Sequence, residues 1–68
     1  MDRKQFLRAL SDYCSDNKLD FRFEKSEGKG SHGMVYVGGR KTIVKKGKLT
    51  RGYRDLVLKQ LGLDKGIV

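Results

Sequence analysis

Cysteine and histidine are nearly absent: Cys14 and His32 are the single examples of each in 68 residues. One cysteine forms no internal disulfide. One cysteine with one histidine also falls short of the ligand count of an ordinary metal site. Cys14 lies in a helical pattern among apolar neighbours, where a thiol serves as a small buried hydrophobe. Long apolar runs are missing too. None approaches the roughly 20 residues of a membrane span. The N-terminus is charged and amphipathic, unlike a signal peptide, so a cytoplasmic location is expected. Acidic residues are scarce, eight against sixteen basic, for a formal charge of +8. That excess favours a polyanionic partner, nucleic acid first and an anionic membrane surface second. A chain of this length makes one domain, expected here over 1–62, with 63–68 a loose C-terminal tail. Such a domain buries only about 60% of its unfolded surface. Activity is therefore expected on a surface or in a shallow groove.

Asp2 can cap a first helix, whose apolar stripe is Phe6, Leu7, Leu10, Tyr13 and Cys14. Segment 2–20 carries four basic and four acidic residues and reads as electrostatically neutral scaffold, ending near Asn17-Lys18. Leu19, Phe21 and Phe23 alternate with Asp20, Arg22 and Glu24, the period of a strand with one apolar face. Both phenylalanines are expected in the core. Residues 25–30 read as a polar hairpin loop. A second strand over 31–37 puts His32, Met34 and Tyr36 on one face and Val35 and Val37 on the other. Gly38-Gly39 turns the chain into a third strand over 40–44. A second helix follows Thr50, with Tyr53, Leu56, Val57, Gln60 and Leu61 as its stripe and Gly62 as its stop. The order is helix, three-stranded antiparallel meander, helix. Neither helix can bury its stripe alone, so both are expected on one sheet face in a two-layer α+β sandwich. The other sheet face is left open.

The positive charge is concentrated. Arg40, Lys41, Lys45, Lys46, Lys48, Arg51 and Arg54 fall within 40–54 without an acidic residue among them. A lysine-rich loop opening a helix suits a phosphate backbone, with affinity rather than sequence readout. The plainer alternative is a solvated basic edge that discourages strand-to-strand aggregation. His32 follows the glycine-lined loop Gly28-Lys29-Gly30-Ser31. RNA carries its own nucleophile, the 2′-hydroxyl, and a general base beside it starts strand cleavage without a metal. Such acid–base help contributes about 10²–10⁴-fold in rate. Lys29, or a lysine of the 45–48 loop, would stabilise charge developing on the phosphate. The glycines would let the phosphate approach the backbone.

Three stretches carry a family resemblance: Gly30-Ser31-His32 opening the second strand, Lys45-Lys46-Gly47-Lys48-Leu49 before the second helix, and Leu58-Lys59-Gln60-Leu61-Gly62-Leu63 at the end. In order and spacing they resemble HicA-type toxins, small bacterial mRNA interferases, over nearly the whole chain. The resemblance implies a double-stranded-RNA-binding-domain-like fold. It also implies metal-independent endoribonuclease cleavage of mRNA, with His32 as the catalytic histidine. RNA contacts would come from Lys29, Gly30, Ser31, Arg40, Lys41, Lys45, Lys46, Lys48, Arg51 and Arg54. The implied partners are mRNA and a HicB-like antitoxin that blocks the active face, with neither a membrane nor a small-molecule cofactor. Many members carry a second histidine directly after the first, where this chain has Gly33. The competing reading is a non-catalytic double-stranded-RNA-binding module of the same fold, using the basic 40–54 segment.

Overall fold

The computed structural model describes residues 1–25 and 32–68. Its elements are α1 (Arg3–Asp16), β1 (Phe21–Lys25), β2 (His32–Val37), β3 (Arg40–Lys45) and α2 (Arg51–Gln60). The strands form one antiparallel sheet in the order β1-β2-β3. The chain is thus a small α+β fold of two helices and a three-stranded meander. Of the hairpin loop expected at 25–30, Lys25 is instead the last residue of β1; the rest of it, with Lys29 and Gly30, and Ser31 after it lie outside the described residues.

Helix boundaries follow from local chemistry. The Asp2 carboxylate accepts the Gln5 N–H at 2.9 Å, and the Gln5 side-chain oxygen accepts the Asp2 N–H at 3.0 Å. This reciprocal capping box satisfies two orphan donors of α1. In α2 the Thr50 hydroxyl accepts the Tyr53 N–H at 3.2 Å. Both helices end in the same way. Gly62 sits at φ +75° and lets the Leu63 N–H reach back to the Leu58 carbonyl at 2.8 Å. At the end of α1 the equivalent left-handed residue is Lys18, at φ +57°, with the Leu19 N–H on the Cys14 carbonyl at 2.8 Å. That turn holds Leu19 out of the sheet, and β1 starts two residues later than the alternation suggested.

The strand parity sorts the two faces. Val35, Val37 and Val44 are buried toward the helices, with Phe21, Phe23 and Thr42 half-buried beside them. Arg22, Glu24, His32, Met34, Tyr36, Lys41, Ile43 and Lys45 share the opposite face, which no described element covers. Phe6, Leu10 and Cys14 from α1 and Val57, Leu58 and Leu61 from α2 complete one core, together with Leu49. Both helices therefore pack on the same sheet face.

Three expectations change. Phe21 and Phe23 flank the core, and the fully buried aromatic is Phe6. In α2 Leu58 is buried, whereas Leu56 is 51% exposed and Gln60 is exposed. A ten-residue helix is too short for its period to settle its rotation, and packing on the sheet selects the Val57–Leu58–Leu61 face. Residues 63–68 are no loose tail. Leu63, Ile67 and Val68 pack against the core, and the Gly66 N–H donates to Asp55 Oδ1 at 3.2 Å. Arg51 Nη1 holds the Val68 carbonyl at 3.0 Å. A thin core gains from every apolar side chain that can be laid over it.

The N-terminal residues pair with the segment before α2. The Leu49 N–H donates to the Met1 carbonyl at 2.7 Å, and the Arg3 N–H to the Gly47 carbonyl at 3.0 Å. Asp2 and Lys48 form an antiparallel bridge between them. Among the described residues no helix is long and apolar enough to cross a membrane.

Candidate nucleic-acid interface

His32 is the first residue of β2 and is exposed on the open sheet face. Its cross-strand neighbour is Lys45, the last residue of β3. Glu24, Lys25, Met34 and Ile43 join it around a depression of about 270 Å³. Glu24 is already engaged there. It accepts the Tyr36 hydroxyl at 2.9 Å and lies 3.8 Å from Arg22 Nη1. That hydrogen bond to Glu24, then partial desolvation and the carboxylate's charge, raises the Tyr36 phenol above its ordinary range, with Arg22 opposing. The Arg22 guanidinium also rests 4.3 Å from the centre of the Tyr36 ring.

Residue 33 points the other way. Gly33 is paired with Lys25 and Val44 and faces the helix layer. A Cβ built there would lie 2.4 Å from the ring tip of Phe23 and 3.1 Å from the Glu24 carbonyl. The ring of Phe23 fills the space that a side chain would take, as aromatic cover does for glycines in sheets. A second histidine at this position would therefore clash with Phe23 and stand on the far side of the sheet from His32.

The basic residues of 40–54 do not form one strip. Lys45, Lys46 and Lys48 gather at the His32 end of β3. Arg40 and Lys41 start the same strand, roughly 17 Å away at about 3.3 Å per residue. Arg40 packs beside Gly62 at the end of α2, where a cation meets the negative end of the helix dipole. Lys41 shares the open face with its partner Tyr36. Arg51 spans Asp55 and the Val68 carbonyl, at 3.4 and 3.0 Å. Arg54 reaches the Thr50 carbonyl and the Met1 sulfur, each at 3.4 Å. Both arginines thus have structural work inside the fold. Lys45 lies with its ammonium 5.0 Å from the Tyr53 ring centre, while its backbone N–H donates to the Tyr53 hydroxyl at 3.0 Å. One tyrosine thereby closes this part of the β3 edge and steadies its last lysine.

On the helix side of the same sheet end lies a larger cleft, of about 520 Å³. Its floor is Leu7 and Phe23, and Arg3, Lys4, Lys25 and Lys46 surround it. Lys25 borders this cleft and the His32 depression alike. Arg3, Lys4 and Lys25 lie outside the site that the sequence predicts. Segment 2–20 balances its charges locally, and Lys25 reads as part of a loop. The available signal was helical spacing, which stacks Arg3 and Lys4 over Leu7. Comparison with protein-family models, with curated proteins and with solved structures gives no match.

Proposed function

We propose that the chain is an RNA-cleaving toxin of the HicA type, on a double-stranded-RNA-binding-domain-like scaffold, with His32 as the general acid/base. The observation that carries this reading is the position of His32: exposed, on a sheet face that no described element covers, beside Lys45 and Lys25 at the end where Lys46 and Lys48 gather. The imidazole takes the proton of a 2′-hydroxyl. The 2′-oxygen attacks the adjacent phosphorus, the bond to the 5′-oxygen breaks, and that oxygen leaves with a proton from solvent. The products are a 2′,3′-cyclic phosphate and a 5′-hydroxyl. Lysine ammonium groups offset the charge that gathers on the phosphate oxygens in the transition state. The open face also suits the antitoxin that the resemblance implies. Ile43 is 51% exposed and Met34 half-buried, with Arg22, Lys41 and Lys45 around them. A partner presenting apolar and acidic groups would cover His32 at the same time.

The test is expression in a bacterial host of the parent chain beside His32→Ala, following growth and the integrity of bulk mRNA. Arrest and mRNA loss are expected with the parent alone, and RNA affinity of the purified variant should stay within about twofold. Fragments should carry cyclic phosphate ends. Cleavage undiminished in His32→Ala would refute the assignment. RNA binding without cleavage by the folded parent would make the chain a binding module.

A further inference from the structure

The cleft between α1 and β1 is a second feature of this end of the molecule, on the opposite side of the sheet from His32. Its volume, about 520 Å³, falls in the range of roughly 300–1,000 Å³ typical of small-ligand pockets. The floor is apolar and partly aromatic. The Arg3 guanidinium lies 4.9 Å from the centre of the Phe23 ring at its wall, within cation–π distance. Lys4, Lys25 and Lys46 add three ammonium groups. Asp2 is also at the lining, with its Oδ1 taken by the Gln5 N–H. Gly47 at the margin brings backbone rather than a side chain.

An apolar floor with one aromatic ring, under a cationic rim, matches one ligand chemistry closely. An unpaired base presents a π-face, and the phosphates on either side of it present negative charge. A paired duplex hides its bases in the stack and would leave the floor empty. We propose that this cleft receives the base of an unpaired nucleotide in single-stranded RNA, with the flanking phosphates on Lys4, Lys25 and Lys46. Lys25 borders both depressions, so a strand seated in the cleft passes over it toward His32. The inference rests on the RNA reading above for its ligand class. It adds that the substrate is single-stranded where it is held, and that base contact occurs away from the cleaved bond.

The test uses the intact protein and a labelled eight-nucleotide RNA, 2′-O-methylated throughout so that it carries no nucleophile. A second oligomer of the same length and charge lacks bases. Anisotropy titrations should give on the order of tenfold tighter binding of the base-carrying oligomer, the effect of one stacked base. The Phe23 ring and Leu7 methyl NMR signals should shift with that oligomer and not with the abasic one. Lys4→Ala combined with Lys46→Ala should weaken binding about tenfold, whereas Lys59→Ala, on the last turn of α2, should leave it unchanged. Equal affinity for both oligomers, or unmoved Phe23 signals, overturns the cleft assignment while leaving His32-dependent cleavage of unmethylated RNA intact. If neither oligomer binds, the RNA reading falls and the cleft assignment with it.

Discussion

Phe23 places its ring tip where a side chain at residue 33 would begin, and this bears on both folding and chemistry. The ring is rigid and packed against the core, so it yields less readily than the end of a lysine would. Gly33→Ala is therefore expected to lower stability by about 1–3 kcal/mol, the usual cost of overpacking. A urea midpoint at unchanged m-value measures it, and an unshifted midpoint would mean that Phe23 swings aside freely. The side chain at 33 faces away from His32. At a temperature where the variant remains folded, the proposed RNA cleavage should keep its turnover rate, and any loss should appear in RNA affinity through the displaced Phe23 ring. Packing on the helix side thus leaves position 33 no room for a second histidine.

The two helices end with the same hydrogen-bond pattern on different residues. Gly62 takes the left-handed conformation without a steric cost, but Lys18 takes it with a Cβ. A left-handed non-glycine residue costs roughly 1–2 kcal/mol, partly offset in the unfolded chain by the greater freedom of glycine. Lys18→Gly should accordingly raise stability by about 1 kcal/mol, read as a higher denaturant midpoint, and no gain would show that Lys18 repays the strain elsewhere. The elements also decide which cations remain available to a ligand. Arg51 and Arg54 secure α2 to the C-terminal and N-terminal residues, while Lys46 and Lys48 lie exposed on the segment that pairs with residues 1–3.

For the whole molecule, charge distribution and proton linkage give two expectations. Replacing Lys45, Lys46 and Lys48 together by glutamine should weaken RNA binding and lower the slope of log affinity against log salt by about two units, given roughly 0.7–0.9 per phosphate contact. A slope equal to the parent's would place the RNA elsewhere on the surface. The second concerns alkaline pH. Burial raises the Cys14 thiol above its ordinary range, and the Glu24 hydrogen bond raises Tyr36. In both cases the folded state holds the proton more tightly than the unfolded state. Their stabilising contribution is complete below the unfolded pKa values and is lost as pH climbs through the folded ones. Thermal midpoints should fall from about pH 8.5 upward, where an unperturbed thiol ionises, and fall less steeply in Cys14→Ala. A parallel decline in parent and variant would remove Cys14 as a cause.

Much of this architecture is local and can be read along the chain. Asp2 and Thr50 cap their helices through contacts three residues ahead, and a period of two puts His32 on the face opposite Val35 and Val37. Those features need only near neighbours, because helical and extended backbones repeat every 3.6 and 2 residues. The grouping of charges is not local. Arg3 and Lys4 reach Lys46 because residues 1–3 pair with 47–49, and Lys25 joins them from the far strand. Arg40, close to the 45–48 lysines in sequence, stands at the other end of an extended strand. Backbone pairing between distant segments sets these separations, and periodicity carries no information about it. The same holds for residues 63–68, whose apolar side chains have a place only once the core they cover exists.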